Sequence, residues 1–176
     1  MMSSRLLVMT VITFFAVVMR FLPHPPNFAP VAALALFAGS FCHSRKLALF
    51  IPLIAMLISD WMIGFHSLML VVYGCLIFNV LIGQYWIGQS RRQPTKLIAA
   101  SVLGSCLFFC VTNFACWLSF YEHNLSGFIR CYTLALPFFR NTLLGDMAYT
   151  TIFFGAFALA KGTLPVERPT LVARDA

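Results

Sequence analysis

The side chains in this sequence with the means to do chemistry are few, and most fall in or beside three short polar segments. The first supplies Arg20, His24 and Asn27, the second Asp60 and His66, and the third His123, Arg130, Arg140, Asn141 and Asp146. Ionisable groups next to apolar runs are costly to bury, so each is a functional suspect. Asp60, in Ser59-Asp60-Trp61, and Asp146, in Gly145-Asp146, are the sharpest cases. Each either binds a ligand or forms an ion pair, with Arg20 or Arg140, that closes the structure. His24 stands between prolines and is either an interfacial loop residue or a ligand. His66 either lines a site or caps the helix that follows it.

Cys75 differs from the other cysteines in placement. It lies about two turns into an apolar run, which at ~1.5 Å per helical residue puts its sulfur roughly 10 Å below the end of that run. Tyr73 and Asn79 are close in sequence, and Asn79, four residues on, shares the face of Cys75. A thiol there either packs as a small hydrophobe or, if it faces a pocket, offers a soft ligand to a transition metal. The remaining cysteines, Cys42, Cys106, Cys110, Cys116 and Cys131, lack the paired spacing of a zinc site and do not read as a disulfide framework. Neither HExxH nor GxSxG occurs, and there is no TVGYG-like filter, so metalloprotease, serine-hydrolase and potassium-channel chemistry have no sequence support.

The elements that position these residues follow from composition. Of the 176 residues, 61% are hydrophobic and 10% charged, against roughly 45–50% and 25% in a soluble domain. Lipid must cover most of such a surface. The formal net charge of +7 does not point to nucleic acid, because the basic residues sit in short clusters between apolar runs and not along one polar face. The fold class predicted is an all-α integral membrane protein, a bundle of six transmembrane helices.

Those six spans are expected at Leu6–Leu22, Phe28–Phe41, Leu47–Ile63, Leu68–Ile87, Leu97–Phe120 and Thr142–Ala160. The first apolar run lacks an A-x-A-like cleavage site before Pro23 and reads as a helix, not as a signal peptide. Pro23-His24-Pro25-Pro26-Asn27 is too proline-rich for helix and reads as a rigid loop. Tyr121–Asn141 mixes Glu122, His123, Arg130 and Arg140 with apolar residues and is expected as a long, partly helical interfacial loop. Residues 1–161 would form one transmembrane domain, and 162–176 a weakly ordered tail. Trp61, Trp86 and Trp117 fit an interfacial aromatic belt.

Basic residues orient the bundle, since cytoplasmic loops carry the excess. One side holds nine: Arg5, Arg45, Lys46, Arg91, Arg92, Lys96, Lys161, Arg168 and Arg174. The other holds three: Arg20, Arg130 and Arg140. Both termini are therefore expected in the cytoplasm, and the polar segments that bear the candidate residues on the outside.

Six spans with both ends inside, the loop Leu22-Pro23-His24-Pro25-Pro26-Asn27-Phe28-Ala29-Pro30-Val31, an alanine-rich second span ending Phe37-Ala38-Gly39, and Ser59-Asp60 closing the third together resemble the substrate-binding (S) subunits of energy-coupling-factor (ECF) transporters. The likeness extends over nearly the whole chain and is carried more by architecture than by any short motif. Within that superfamily the chain looks most like the solitary BtuM-type vitamin B12 transporters of bacteria. The resemblance implies a transporter of the inner membrane that binds cobalamin from outside, with no cofactor of its own.

In that group a membrane cysteine ligates the cobalt of cobalamin and assists removal of its cyanide ligand, and Cys75 is the cysteine whose depth and side suit that role. His24, Asn27, Asp60, His66, Tyr73, Tyr132 and Arg140 are then the candidates for meeting the corrin amides. Modular members carry two alanines four residues apart on the first helix for docking the coupling protein. Here that span offers Ala16 alone, which places use of an ECF module in doubt and agrees with a solitary member. Two other readings stay open: the same fold with a different vitamin or precursor, and a non-transporting membrane subunit whose outer polar residues are interface contacts.

Overall fold

The structure, a computed structural model, describes residues 4–42, 44–87 and 93–163, with side chains from 7 to 160. Six helices are formed among the described residues: α1 Ser4–Met19, α2 Val31–Phe41, α3 Arg45–Ile63, α4 Met69–Leu81, α5 Pro94–Phe120 and α6 Leu125–Thr163. A π-helical turn, Ile82–Ile87, extends α4 without a break. The stretches 45–63, 69–87, 94–120 and 125–160 are each long and apolar enough to cross a membrane. α1 and α2 are shorter. Among the basic residues of the charge count, Arg91, Arg92, Arg168 and Arg174 lie outside the described residues, as do the side chains of Arg5 and Lys161 and the tail from 164.

α2 is the axis of the bundle. It packs against all five other helices and the π-helical turn, and ten of its eleven residues are buried. That explains why its sequence is apolar on every side and rich in alanine. At ~1.5 Å per residue its 11 residues extend only about 16 Å, near half of a ~30 Å hydrocarbon core. The expected start at Phe28 moves to Val31 because Pro30 holds the N-cap position and Asn27 adopts a positive φ of 63°. Around α2, Phe37 and Phe41 meet Phe153, Phe154 and Phe157 of α6 in a cluster of edge and tilted ring contacts.

On the opposite flank α2 approaches the end of α4 backbone to backbone. A Cβ on Gly39 would run into the Val80 carbonyl, and one on Gly83 into the Leu36 carbonyl. The Ser40 hydroxyl donates to Leu36 O at 2.8 Å and also reaches Gly83 O at 3.3 Å, tying the two helices where they touch. The π-helical turn begins at this contact.

The largest departure from expectation is at Tyr121–Asn141. It is not a long loop: after a short connection at 121–124, α6 starts at Leu125 and runs unbroken through Thr142 to Thr163. Asn124 caps it, its Oδ1 accepting from Gly127 N–H at 2.7 Å. Phe128, Cys131, Tyr132, Ala135, Phe139 and Thr142 recur at helical spacing; their rings contact Phe109 and Trp117 of α5, and Phe128 also contacts Tyr132 within the helix. Arg140 is exposed, so its charge is compatible with helix on the solvent or headgroup side. Pro137 removes one backbone donor within α6 without ending it. At 39 residues, about 58 Å, α6 is nearly twice as long as a bilayer core is thick. The α5–α6 hairpin therefore reaches past the other helices or tilts strongly.

A polar cavity beneath the proline-rich loop

The end of the bundle that carries the 20–30 loop and the α3–α4 connection encloses a cavity of about 380 Å³. Its walls mix apolar residues of α2, α3, α4 and α5 (Val31, Met56, Leu76, Phe108) with Arg20, His24, Asn27, His66, Thr142 and Asp146. A second void of about 90 Å³ shares Asn27, Phe108 and Thr142 with it. The loop above is held from α6: Asn141 Nδ2 donates to Pro26 O at 3.0 Å, and Phe28 stands edge-on to Tyr149 with centroids 5.6 Å apart. Gly145 leaves room for Phe28, whose ring a Cβ would press against at 3.3 Å.

Arg20 follows the last turn of α1 and is fixed by α3. Its guanidinium donates to Asp60 Oδ1 at 2.8 Å, to Ser59 Oγ at 2.7 Å and to Met56 Sδ. The second oxygen of Asp60 accepts from Tyr73 O–H of α4 at 2.9 Å. Asp60 is thus an ion-pair partner that ties three helices together and sits behind the cavity wall, while Arg20 itself lines the cavity. Ser59 and Asp60, both buried, anchor the cation from below.

Asp146 is arranged differently. It lines the cavity, is only 4% exposed, and its Oδ2 accepts from Ser105 O–H at 2.6 Å. Asp60 pairs with Arg20, whereas the pairing with Arg140 considered for Asp146 is not formed. Arg140 is exposed and away from the cavity lining.

The remaining candidates divide between wall, seam and interior. His24, Asn27 and His66 line the cavity. The His66 side chain does not cap α4; its backbone carbonyl accepts from Met69 N–H instead, and the N-cap is Leu68. Tyr132 lies in the α5–α6 seam, its hydroxyl donating to Cys110 O at 2.8 Å. Cys75 is buried at 2% exposure. Its neighbours Val72 and Leu76 line the cavity and Cys75 does not; it shares the helix face of Asn79, which packs its amide against Gly104 of α5. Of the residues that shape this site, Ser105 and Thr142 were not singled out from sequence, although Thr142–Asp146 and Ser101–Ser105 each repeat a polar residue at one-turn spacing.

Fold and site together define the class: a bundle that is all-α among the described residues, with four helices long and apolar enough to cross a membrane, and with a cavity of mixed polar and apolar lining at one end. Its family follows from the sequence: the chain belongs to the family of unknown function DUF6580, which matches residues 1–167. No curated protein and no solved structure matches it.

Proposed function

We propose that this protein is a six-helix, S-component-like membrane transporter that binds a vitamin at the cavity end and moves it inward, and that the vitamin is cobalamin or a related corrinoid. The observation that carries the reading is the cavity, with Arg20, His24, Asn27 and His66 at its loop end and helix walls that are apolar except for Thr142 and Asp146 of α6. On the charge count, that end faces the outside of a bacterial inner membrane. Cys75 is next in sequence to the cavity-lining Leu76 of α4 but points about 100° away from it, so ligation requires α4 to turn by roughly a quarter of a revolution when the ligand enters.

Cobalt(III) in the corrin ring exchanges an axial ligand without change of oxidation state. The Cys75 sulfur would form the new bond to cobalt as the cobalt–cyanide bond breaks, and the thiol proton would leave with cyanide as hydrogen cyanide. A thiolate suits this metal, and burial against the macrocycle would exclude competing water. A whole corrinoid exceeds 380 Å³, so binding requires the proline-rich loop to lift from α6, which means release of the Asn141–Pro26 hydrogen bond and the Phe28–Tyr149 contact. Ala16 of α1 is buried, so it offers no surface for docking a coupling protein and supports a solitary mode of action.

The test is the absorption spectrum of purified protein incubated with cyanocobalamin. The wild type should shift the corrin bands, and Cys75→Ala should bind without the thiolate signature. An unchanged spectrum with wild type would overturn the corrinoid reading. The cavity volume, near the lower end of the ~300–1,000 Å³ usual for ligand pockets, favours as second reading a smaller vitamin or precursor on the same fold. Native mass spectrometry of the freshly purified protein distinguishes the two by the mass retained.

A further inference from the structure

Asp146 enters the cavity wall with its hydrogen bonding incomplete. The side chain is 4% exposed, Oδ2 accepts from Ser105 O–H at 2.6 Å, and Oδ1 has neither a hydrogen-bond nor an ion-pair partner among the described residues. A carboxylate oxygen withdrawn from water is costly to leave unpaired, and the space open to it here is the cavity.

One turn earlier on the same face of α6, Thr142 lines the cavity too, and its hydroxyl spends its proton on Phe138 O at 3.0 Å. What Thr142 offers the cavity is therefore a lone pair. At that spacing the two Cβ atoms are roughly 6 Å apart, so the pair presents neighbouring acceptors and no donor. The cavity's own cation does not serve them, since Arg20 has both terminal nitrogens engaged by Asp60, Ser59 and Met56. His24 turns its Nδ1 to Pro25 O at 2.9 Å.

Asn141, which holds the proline-rich loop through Pro26 O, marks the loop end of this part of α6. Asp146 lies five residues further on, ~7–8 Å deeper at ~1.5 Å per residue. The other helices wall the cavity with hydrocarbon, among it Val31, Met56, Leu76 and Phe108. Two oxygen atoms in such a setting are too few for a hard metal ion, which takes about six. A ligand hydroxyl would bring one proton to two acceptors, whereas an amino group brings two or three. We infer that the ligand docks such a group, the nitrogen of a primary carboxamide or of a protonated amine, between Asp146 Oδ1 and Thr142 Oγ1, with its apolar body against the helix walls. Asp146 is then the specificity-determining residue of the cavity, because an N–H bond to a carboxylate is about twice as strong as one between neutral groups.

The inference rests on the reading that this cavity binds a ligand. The two ligands named for it supply the group differently, a corrinoid through a peripheral carboxamide and a smaller vitamin or precursor through an amine. Purified full-length protein in detergent is titrated with cyanocobalamin, and with tryptamine beside its hydroxyl analogue tryptophol. Asp146→Leu removes the acceptor at similar volume, Asp146→Asn keeps an acceptor without the charge, and Thr142→Val removes the hydroxyl. Whichever of cyanocobalamin and tryptamine the wild type binds, Asp146→Leu should bind it about tenfold or more weakly, the usual worth of a hydrogen bond to a charged group, and Thr142→Val several-fold more weakly. A carboxamide source shows as cyanocobalamin binding retained in Asp146→Asn. An amine source shows as a preference of about tenfold for tryptamine over tryptophol that Asp146→Asn abolishes. Wild-type affinity retained in Asp146→Leu overturns the inference and leaves the cavity reading standing, whereas a wild type that binds neither probe overturns both. Should Asp146→Leu not fold, infrared difference spectra of the wild type decide: the bound probe should shift a carboxyl band, and binding that moves none overturns the inference.

Discussion

Arg20 and Asp60, forty residues apart, close a 2.8 Å ion pair between the end of α1 and the last turns of α3, and Tyr73 adds α4 through the other carboxylate oxygen. The aspartate side chain is 2% exposed and the arginine 14%, so the pair is partly shielded from water and from salt. Removing one member strands the other. Arg20→Ala is expected to lower stability by about 3–5 kcal/mol, the range for uncompensated buried charge. The double change Arg20→Ala with Asp60→Ala should cost less than the sum of the two singles. Thermal unfolding of the four proteins in detergent micelles reads the coupling, and strict additivity would show that the pair contributes nothing.

The glycines of the bundle separate into two kinds. Gly39→Ala would place a methyl group on the Val80 carbonyl and force α2 away from the end of α4, so a loss of about 1–3 kcal/mol is expected. At Gly74 nothing lies within 4 Å of the place a methyl group would take, so Gly74→Ala should be neutral or stabilise α4 by up to about 1 kcal/mol. The unfolding midpoint should fall for Gly39→Ala and should not fall for Gly74→Ala. Equal destabilisation would mean that the close α2–α4 contact is not what holds Gly39.

Asn27 holds φ at 63°, a conformation that asparagine and glycine tolerate and β-branched residues do not. Asn27→Gly should therefore preserve the loop while removing a polar group from the cavity, whereas Asn27→Val should strain it. If the amide meets ligand, Asn27→Gly weakens binding with an unchanged unfolding midpoint, and Asn27→Val loses both. Binding titrations run beside unfolding curves separate the two effects; wild-type affinity in Asn27→Gly would remove this residue from the ligand's contacts.

Sequence carried the helices further than it carried their ends. Apolar runs located all six, and of the polar residues at one end Arg20, His24, Asn27, His66 and Asp146 line a cavity while Asp60, His123, Arg130, Arg140 and Asn141 do not. Leu125–Asn141 misled because Arg130 and Arg140 lower its mean hydropathy, although the spacing of Phe128, Tyr132, Ala135 and Phe139 was already that of a helix face packed on α5. Periodicity was the better signal there than charge. The ion pair of Arg20 with Asp60 was one of two open alternatives, and only the approach of α1 to α3 decides it. Ser105 escaped notice because a serine in an apolar helix is commonplace until its neighbour across the seam is known to be an aspartate.

The shortness of α2 bears on how the chain is built into a membrane. An eleven-residue helix cannot be held across a bilayer by its own greasiness, and nearly all of its surface is covered by other parts of the protein. Its place is thus granted by its neighbours: α3 to α6 can each enter lipid as independent spans, and α2 settles only once they have gathered around it. Lesions in α2 should for that reason show themselves in biogenesis, as chains that reach the membrane and are degraded there before the bundle closes.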